Sequence, residues 1–133
     1  MSFFYEKYSG AGNDFLLIDE STVPFPDIEK DWIASLCDRK NGLGADGLLL
    51  VKAQDLHSIQ IRIFNADASE AEMCGNGLRC VAFWLKKHFP YYTEFKVKSP
   101  FGTHLVWEQS KGFFSTSMGI PTLYSWCKKI DDL

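Results

Sequence analysis

The period of apolar positions changes several times along this chain, and each change marks an element. Residues 3–9 read as a first strand and 15–19 as a second. Between them lies Gly10-Ala11-Gly12-Asn13-Asp14, a turn dense in residues that tolerate positive φ. Ile28, Trp32, Ile33, Leu36 and Cys37 recur at helical spacing, which predicts an amphipathic surface helix over 28–38, with Asp27 as its cap after Pro26. The loop Asn41-Gly42-Leu43-Gly44-Ala45-Asp46-Gly47 precedes a short apolar run, 48–51, read as a buried strand. Ile59, Ile61 and Ile63 alternate with Gln60 and Arg62, the clearest strand signal in the chain. A polar loop, 65–70, then leads to a segment apolar around most of its circumference, predicting an enclosed helix from Leu78 to about His88. Pro90 ends it, and three strand-like runs follow at 94–99, 103–109 and 113–118, joined by hairpin-sized links that carry Gly. Residues 122–133 show no clean periodicity and read as a linker or tail.

These elements predict an α+β fold: a curved, mainly antiparallel sheet wrapped around one central helix. Its chemistry centres on Ala71-Glu72-Met73-Cys74-Gly75-Asn76-Gly77-Leu78-Arg79-Cys80. Cys74 stands in a glycine-rich turn directly before the enclosed helix. Backbone N–H groups at a helix start lack intrahelical partners, and the helix dipole places partial positive charge there. A thiol in that position has its thiolate favoured and its reactivity raised. A carboxylate can dock on the same N–H groups. The competing reading is a small buried cysteine beside a turn, and the stretch alone leaves both open. The loops 10–14, 41–47 and 65–70 are expected to converge near Cys74, where loops ending strands build sites.

Composition narrows the function. At 133 residues the chain is long enough for one domain with a real core. Its net charge of −3, with no basic stripe, disfavours nucleic acid as a partner. No apolar stretch approaches membrane-spanning length and the first residues do not resemble a signal peptide, so the expected compartment is the cytoplasm. Cys37, Cys74, Cys80 and Cys127 are too few for a disulfide scaffold. His57, His88 and His104 are scattered and read as surface residues, so no metal site is expected.

Four motifs together resemble, in order and spacing, the N-terminal half of the diaminopimelate epimerase family: Gly10-Ala11-Gly12-Asn13-Asp14-Phe15, Gly42-Leu43-Gly44-Ala45-Asp46-Gly47, Phe64-Asn65-Ala66-Asp67 and Cys74-Gly75-Asn76-Gly77-Leu78-Arg79-Cys80. Met118-Gly119-Ile120-Pro121 is similar to the point where that half closes. The resemblance implies one half of a two-domain epimerase fold, with residues 1–121 as the N-terminal catalytic half. It implies a cofactor-independent enzyme that converts LL-diaminopimelate to the meso form for lysine and cell-wall synthesis. Cys74 then matches the first of two catalytic cysteines. Asn13 and Asn65 match substrate-binding asparagines, and Gly75 and Asn76 match backbone positions that hold the reacting α-carboxylate.

The implied partners are a small amino-acid substrate and a second half-domain absent from this chain, with a homodimer as the alternative. Some members carry Gln where this chain has Gly47, which predicts a wider substrate choice here. Inversion at an α-carbon without a cofactor needs two bases on opposite faces, one thiolate and one thiol. Cys37, Cys80 and Cys127 each read as structural, so this chain is expected to supply one base and to be inactive alone. Two other readings are a racemase or isomerase of the same fold with another substrate, and a non-catalytic amino-acid-binding module. Asp46 and Asp67 read as loop-fixing, and Arg79 carries no assigned role.

Overall fold

A computed structural model of the chain describes residues 4–10, 12–22, 29–72 and 74–116. The seven described strands are β1 (Glu6–Gly10), β2 (Asn13–Asp19), β3 (Gly47–Asp55), β4 (Ser58–Asn65), β5 (Glu94–Ser99), β6 (Gly102–Ser110) and β7 (Phe113–Thr116). They lie in one sheet in chain order. Helix α1 (Lys30–Cys37) links β2 to β3, and α2 (Gly75–His88) links β4 to β5. Each helical link makes a parallel pairing, β2 with β3 and β4 with β5, whereas the four tight connections make antiparallel ones. Hairpins can only return antiparallel, and a parallel neighbour needs a crossover.

The two helices take opposite faces of the sheet. Phe15, Leu17, Leu49, Val51, Ile61 and Ile63 pack with Leu78, Val81, Trp84 and Leu85 of α2. Leu16, Ile18, Leu48, Leu50 and Phe64 pack with Ile33 and Cys37 of α1. Strands covered on both faces need apolar residues at consecutive positions, which is why Phe15–Ile18 and Leu48–Val51 read as runs. The sheet curls around α2, which touches β1, β2 and β3 as well as β6 and β7. Phe83 on α2, 45% exposed, meets Tyr8 of β1 edge-on at 5.9 Å and Phe114 of β7 at 6.0 Å, so it stands between the two sheet edges.

Helix α2 begins earlier than the apolar pattern implies. Gly-Asn-Gly has poor helix propensity, yet the helix includes it because Cys74 caps the end. The cap residue is extended (φ −143°, ψ 102°), and its Sγ accepts from the Gly77 N–H at 3.3 Å. Its carbonyl accepts from the Leu78 N–H at 2.9 Å. Burial of side chains such as Leu78 and Leu85 stabilises the helix on the sheet by about 2 kcal/mol each. Lys86, Lys87 and His88 occupy the last turn, where positive charge suits the dipole.

Several sequence expectations shift. The first helix spans Lys30–Cys37, and its expected cap and start, 26–28, lie outside the described residues. The third strand runs to Asp55, well past Val51, because β4 pairs along it through a bulge at Ala53/Asp55. The last strand is described to Thr116, and residues 117–133, with Cys127 and the expected linker, lie outside the described residues. His104 is a correction: it is buried at 8% exposure, not a surface residue. Its Nε2 pairs with Ser99 Oγ at 3.3 Å, and burial holds its pKa below the usual value, favouring the neutral ring. Among the described residues no cluster of His, Cys, Asp and Glu is arranged to hold a metal ion, and no helix is long and apolar enough to cross a membrane.

Candidate active site at the start of helix α2

Strand directions place the candidate residues at one end of the sheet. β2 and β3 start there, and β4, antiparallel to β3, ends there. Phe15, Gly47 and Asn65 are register partners in one row across the three strands. Side chains alternate between faces along a strand. Asn13 therefore shares the α2 face with Phe15 and Leu17, while Asp14 shares the α1 face with Leu16 and Ile18. The start of α2 is the element above the first face, and the loop after α1 lies beside the second.

Asn13 and Asn76 meet directly. Asn76 Nδ2 donates to Asn13 Oδ1 at 2.7 Å. Close approach of β1 to the helix allows this contact: a Cβ on Gly10 would stand 3.2 Å from the Asn76 carbonyl oxygen and 3.1 Å from Cys80 Sγ. Asn13 Nδ2 in turn donates to Asp46 Oδ2 at 3.3 Å. Asn65 stands at the end of β4 and donates through Nδ2 to Ser69 Oγ at 3.0 Å. Its N–H and carbonyl close the 65–69 turn with the Ser69 carbonyl and the Ala68 N–H. That turn continues to Ala71, whose N–H reaches the Ile63 carbonyl at 2.8 Å, and so delivers the chain to Cys74.

Cys74 is half-buried at the helix start, whereas Cys37 and Cys80 are buried at 3% and 4% exposure. Burial pushes the Cys37 thiol above its usual pKa. Burial, followed by the neighbouring Cys74, pushes Cys80 up to about 11. Among the described thiols only Cys74 therefore combines access with helix-start N–H groups.

Arg39 and Arg79 are contributions that sequence reasoning missed. Arg39 donates from Nη1 and Nη2 to Asp14 at 3.1 and 2.7 Å, and from Nη2 to Asp46 Oδ1 at 3.0 Å. Lys7 Nζ adds a contact with Asp14 at 3.4 Å. The Arg39 guanidinium holds the Asp14 carboxyl well below the usual carboxylate range, helped by the Asp46 N–H. The two loops are also stitched backbone to backbone, Asp46 N–H to Asp14 carbonyl at 2.9 Å. Asp46 and Asp67 do fix loops. Asp46 accepts from Asn13, the Asp14 N–H and Arg39, and Asp67 accepts from Ser69. Arg79 Nη1 donates to Asn76 Oδ1 at 3.0 Å. The only signal in the sequence was a cationic residue just past a predicted helix end; its two carboxylate partners come from the tertiary structure.

Gly47 is closely packed at the start of β3. A Cβ there would stand 2.5 Å from the Phe64 carbonyl oxygen and 3.2 Å from the Phe15 ring. A side chain here therefore requires the neighbouring backbone or ring to shift. Glycine at this position suits the close strand packing of this chain.

Comparison with known proteins shows the family and the fold. A family model described as diaminopimelate epimerase matches residues 5–123. A diaminopimelate epimerase of Synechococcus sp. (strain JA-3-3Ab) is 38% identical over 122 residues, covering 90% of this chain and 43% of that protein. The chloroplastic diaminopimelate epimerase of Oryza sativa subsp. japonica is 37% identical over 122 residues, covering 90% and 34%. The chain thus spans less than half the length of these curated relatives. Among solved structures, a protein described as a predicted epimerase from Pseudomonas aeruginosa matches with a TM-score of 0.58 at 15% identity, covering 79% of this chain and 38% of that one. A phenazine biosynthesis protein of Enterococcus faecalis matches at 0.55 and 13%, covering 81% and 40%. These two likenesses concern the fold alone. The sequence match runs through all seven described strands and both described α-helices, and on that ground the chain belongs to the diaminopimelate epimerase family.

Proposed function

We propose that this chain is the N-terminal catalytic half, residues 1–121, of a cofactor-independent epimerase that converts LL-diaminopimelate to meso-diaminopimelate, with Cys74 as one of two bases. The observation that carries this reading is the placement of Cys74. Its half-buried Sγ lies 3.3 Å from the Gly77 N, at the helix start where Asn76 joins Asn13. In the proposed reaction the Cys74 thiolate takes the α-hydrogen from one face of the carbon. The C–H bond breaks, an S–H bond forms, and a second thiol delivers hydrogen to the opposite face. Electron density passes transiently into the α-carboxylate. Backbone N–H groups of Gly75 and Asn76, aimed at that carboxylate, stabilise the charge as it develops. A positioned base and acid each contribute about 10²–10⁴-fold. Asn13 and Asn65 bind polar groups of the substrate.

Cys80 and Cys37 are buried and raised, so neither suits the second base. A second domain, filling the length that relatives have beyond this match, supplies it in our reading, with 122–133 as the link. Substrate binding, the two-thiol mechanism and a cytoplasmic location are parts of this proposal.

The test is deuterium incorporation at the α-carbon of LL-diaminopimelate in D2O, with chirality analysis. The purified chain is compared alone and mixed with the C-terminal half of the Synechococcus relative, each with and without Cys74→Ser. Inversion in the mixture only, lost in Cys74→Ser, is the expected result. Inversion by the chain alone would instead point to a homodimer sharing one cleft. Inversion that survives Cys74→Ser would remove Cys74 from the chemistry. Binding with no exchange in any sample would favour the amino-acid-binding module.

A further inference from the structure

Four side chains form a hydrogen-bonded ladder across the candidate site. Arg79 Nη1 donates to Asn76 Oδ1 at 3.0 Å, Asn76 Nδ2 donates to Asn13 Oδ1 at 2.7 Å, and Asn13 Nδ2 donates to Asp46 Oδ2 at 3.3 Å. An amide can present either its oxygen or its NH2 to a neighbour, so a ladder of two amides alone has no fixed direction. Here the ends are unambiguous: a guanidinium only donates and a carboxylate only accepts. Arg79 obliges Asn76 to turn its oxygen toward the helix side and its NH2 toward Asn13. Asp46 obliges Asn13 to turn its NH2 the other way. Both ends demand the same direction, and each asparagine retains one N–H beyond its ladder bond. Arg39 takes Asp46 Oδ1 at 3.0 Å, and Oδ2 accepts both from the Asp14 N–H at 3.0 Å and from Asn13 Nδ2 at 3.3 Å.

We infer that Arg79 is a positioning residue that, with Asp46, sets the direction of the Asn76–Asn13 ladder. The site thereby offers amide donors, suited to a carboxylate oxygen and ill suited to an ammonium group. This inference rests on the proposed function for its ligand, a dicarboxylic amino acid. Arg79 is exposed and three residues from Asn76 on the same helix, so replacing it leaves the core intact.

The test is side-chain amide NMR of the chain, with Asn13 and Asn76 assigned through Asn13→Ser and Asn76→Ser. Without ligand, Arg79→Met should speed hydrogen exchange of the Asn13 proton facing Asp46 by about tenfold, although Arg79 does not touch Asn13. Arg79→Lys, which keeps a donor, should restore most of the protection. LL-diaminopimelate should then shift the remaining N–H of Asn13 or Asn76, and cadaverine, the same diamine without carboxylates, should not. Unchanged Asn13 exchange in Arg79→Met overturns the inference, and so does an equal response to cadaverine or no response to either ligand. The exchange readout needs no substrate, so its failure is distinct from failure of the epimerase reading, which α-deuteration with Cys74→Ser decides.

Discussion

Asn13 and Asn76, 63 residues apart in the chain, are joined side chain to side chain at 2.7 Å. One ends the tight turn between β1 and β2, and the other is the second residue of α2. The bond ties the start of β2 to the helix around which the sheet curls. It also brings together two of the four motifs that carry the family resemblance. Cys74 precedes this junction by two residues, so the thiol is held by a helix cap on one side and by a cross-fold bond on the other.

The thiols should differ sharply in reactivity. Competitive alkylation by iodoacetamide near neutral pH, in a Cys127→Ser background, should label Cys74 well before Cys37 or Cys80. With its pKa at about 11, Cys80 is thiolate to only about one part in a thousand at pH 8, and it is buried. Mass spectrometry of the folded protein reads the order. Faster labelling of either buried thiol would undo the assignment of Cys74 as the accessible one.

Gly47 should tolerate no side chain. Gly47→Ala places a carbon 2.5 Å from the Phe64 carbonyl oxygen, which is backbone and can yield only by distorting the β3–β4 ladder. The expected loss is about 2 kcal/mol or more, with Gly47→Gln at least as damaging. Urea denaturation measures it. An unchanged midpoint for either variant would mean that the strands separate easily at this row.

Acid stability should depend on Asp14 and Arg39. The folded-state pKa of Asp14 lies below its unfolded value near 3.9, chiefly through its hydrogen bonds from Arg39. Such a group contributes its stability in full above the unfolded value and loses it progressively as pH falls toward the folded one. Arg39→Met removes the main cause, so the acid-unfolding midpoint should move to higher pH. The stability difference between the two proteins should shrink below about pH 4. A difference that stays constant from pH 7 down to pH 3 would show that Arg39 acts through something other than the Asp14 charge.

The sequence by itself determined the local features. β5 is found over Glu94–Ser99, as its alternation indicates, because strand period and a Gly-bearing turn are written within a few residues. The buried face of α2 was legible for the same reason, since Leu78, Val81, Ala82 and Leu85 lie within two turns, whereas Phe83, which widens the apolar pattern, is 45% exposed. Cys74 as a helix-start thiol was legible as well, and of the three loops singled out, 10–14 and 41–47 are joined through Asp46, whereas Asn65 bonds within its own turn. The tertiary structure alone decided the features that need distant partners. Apolar runs at Phe15–Ile18 and Leu48–Val51 reveal double burial only once α1 and α2 take opposite faces. His104 reads as any strand residue until Ser99 and the core enclose it. Arg39 acquires its role when β2 and β3 lie parallel and bring Asp14 beside Asp46, and Gly47 loses its supposed freedom when β4 lays Phe64 against it. Periodicity records how a segment meets its own environment, whereas contacts between segments depend on sheet order and register, which no short window of sequence contains.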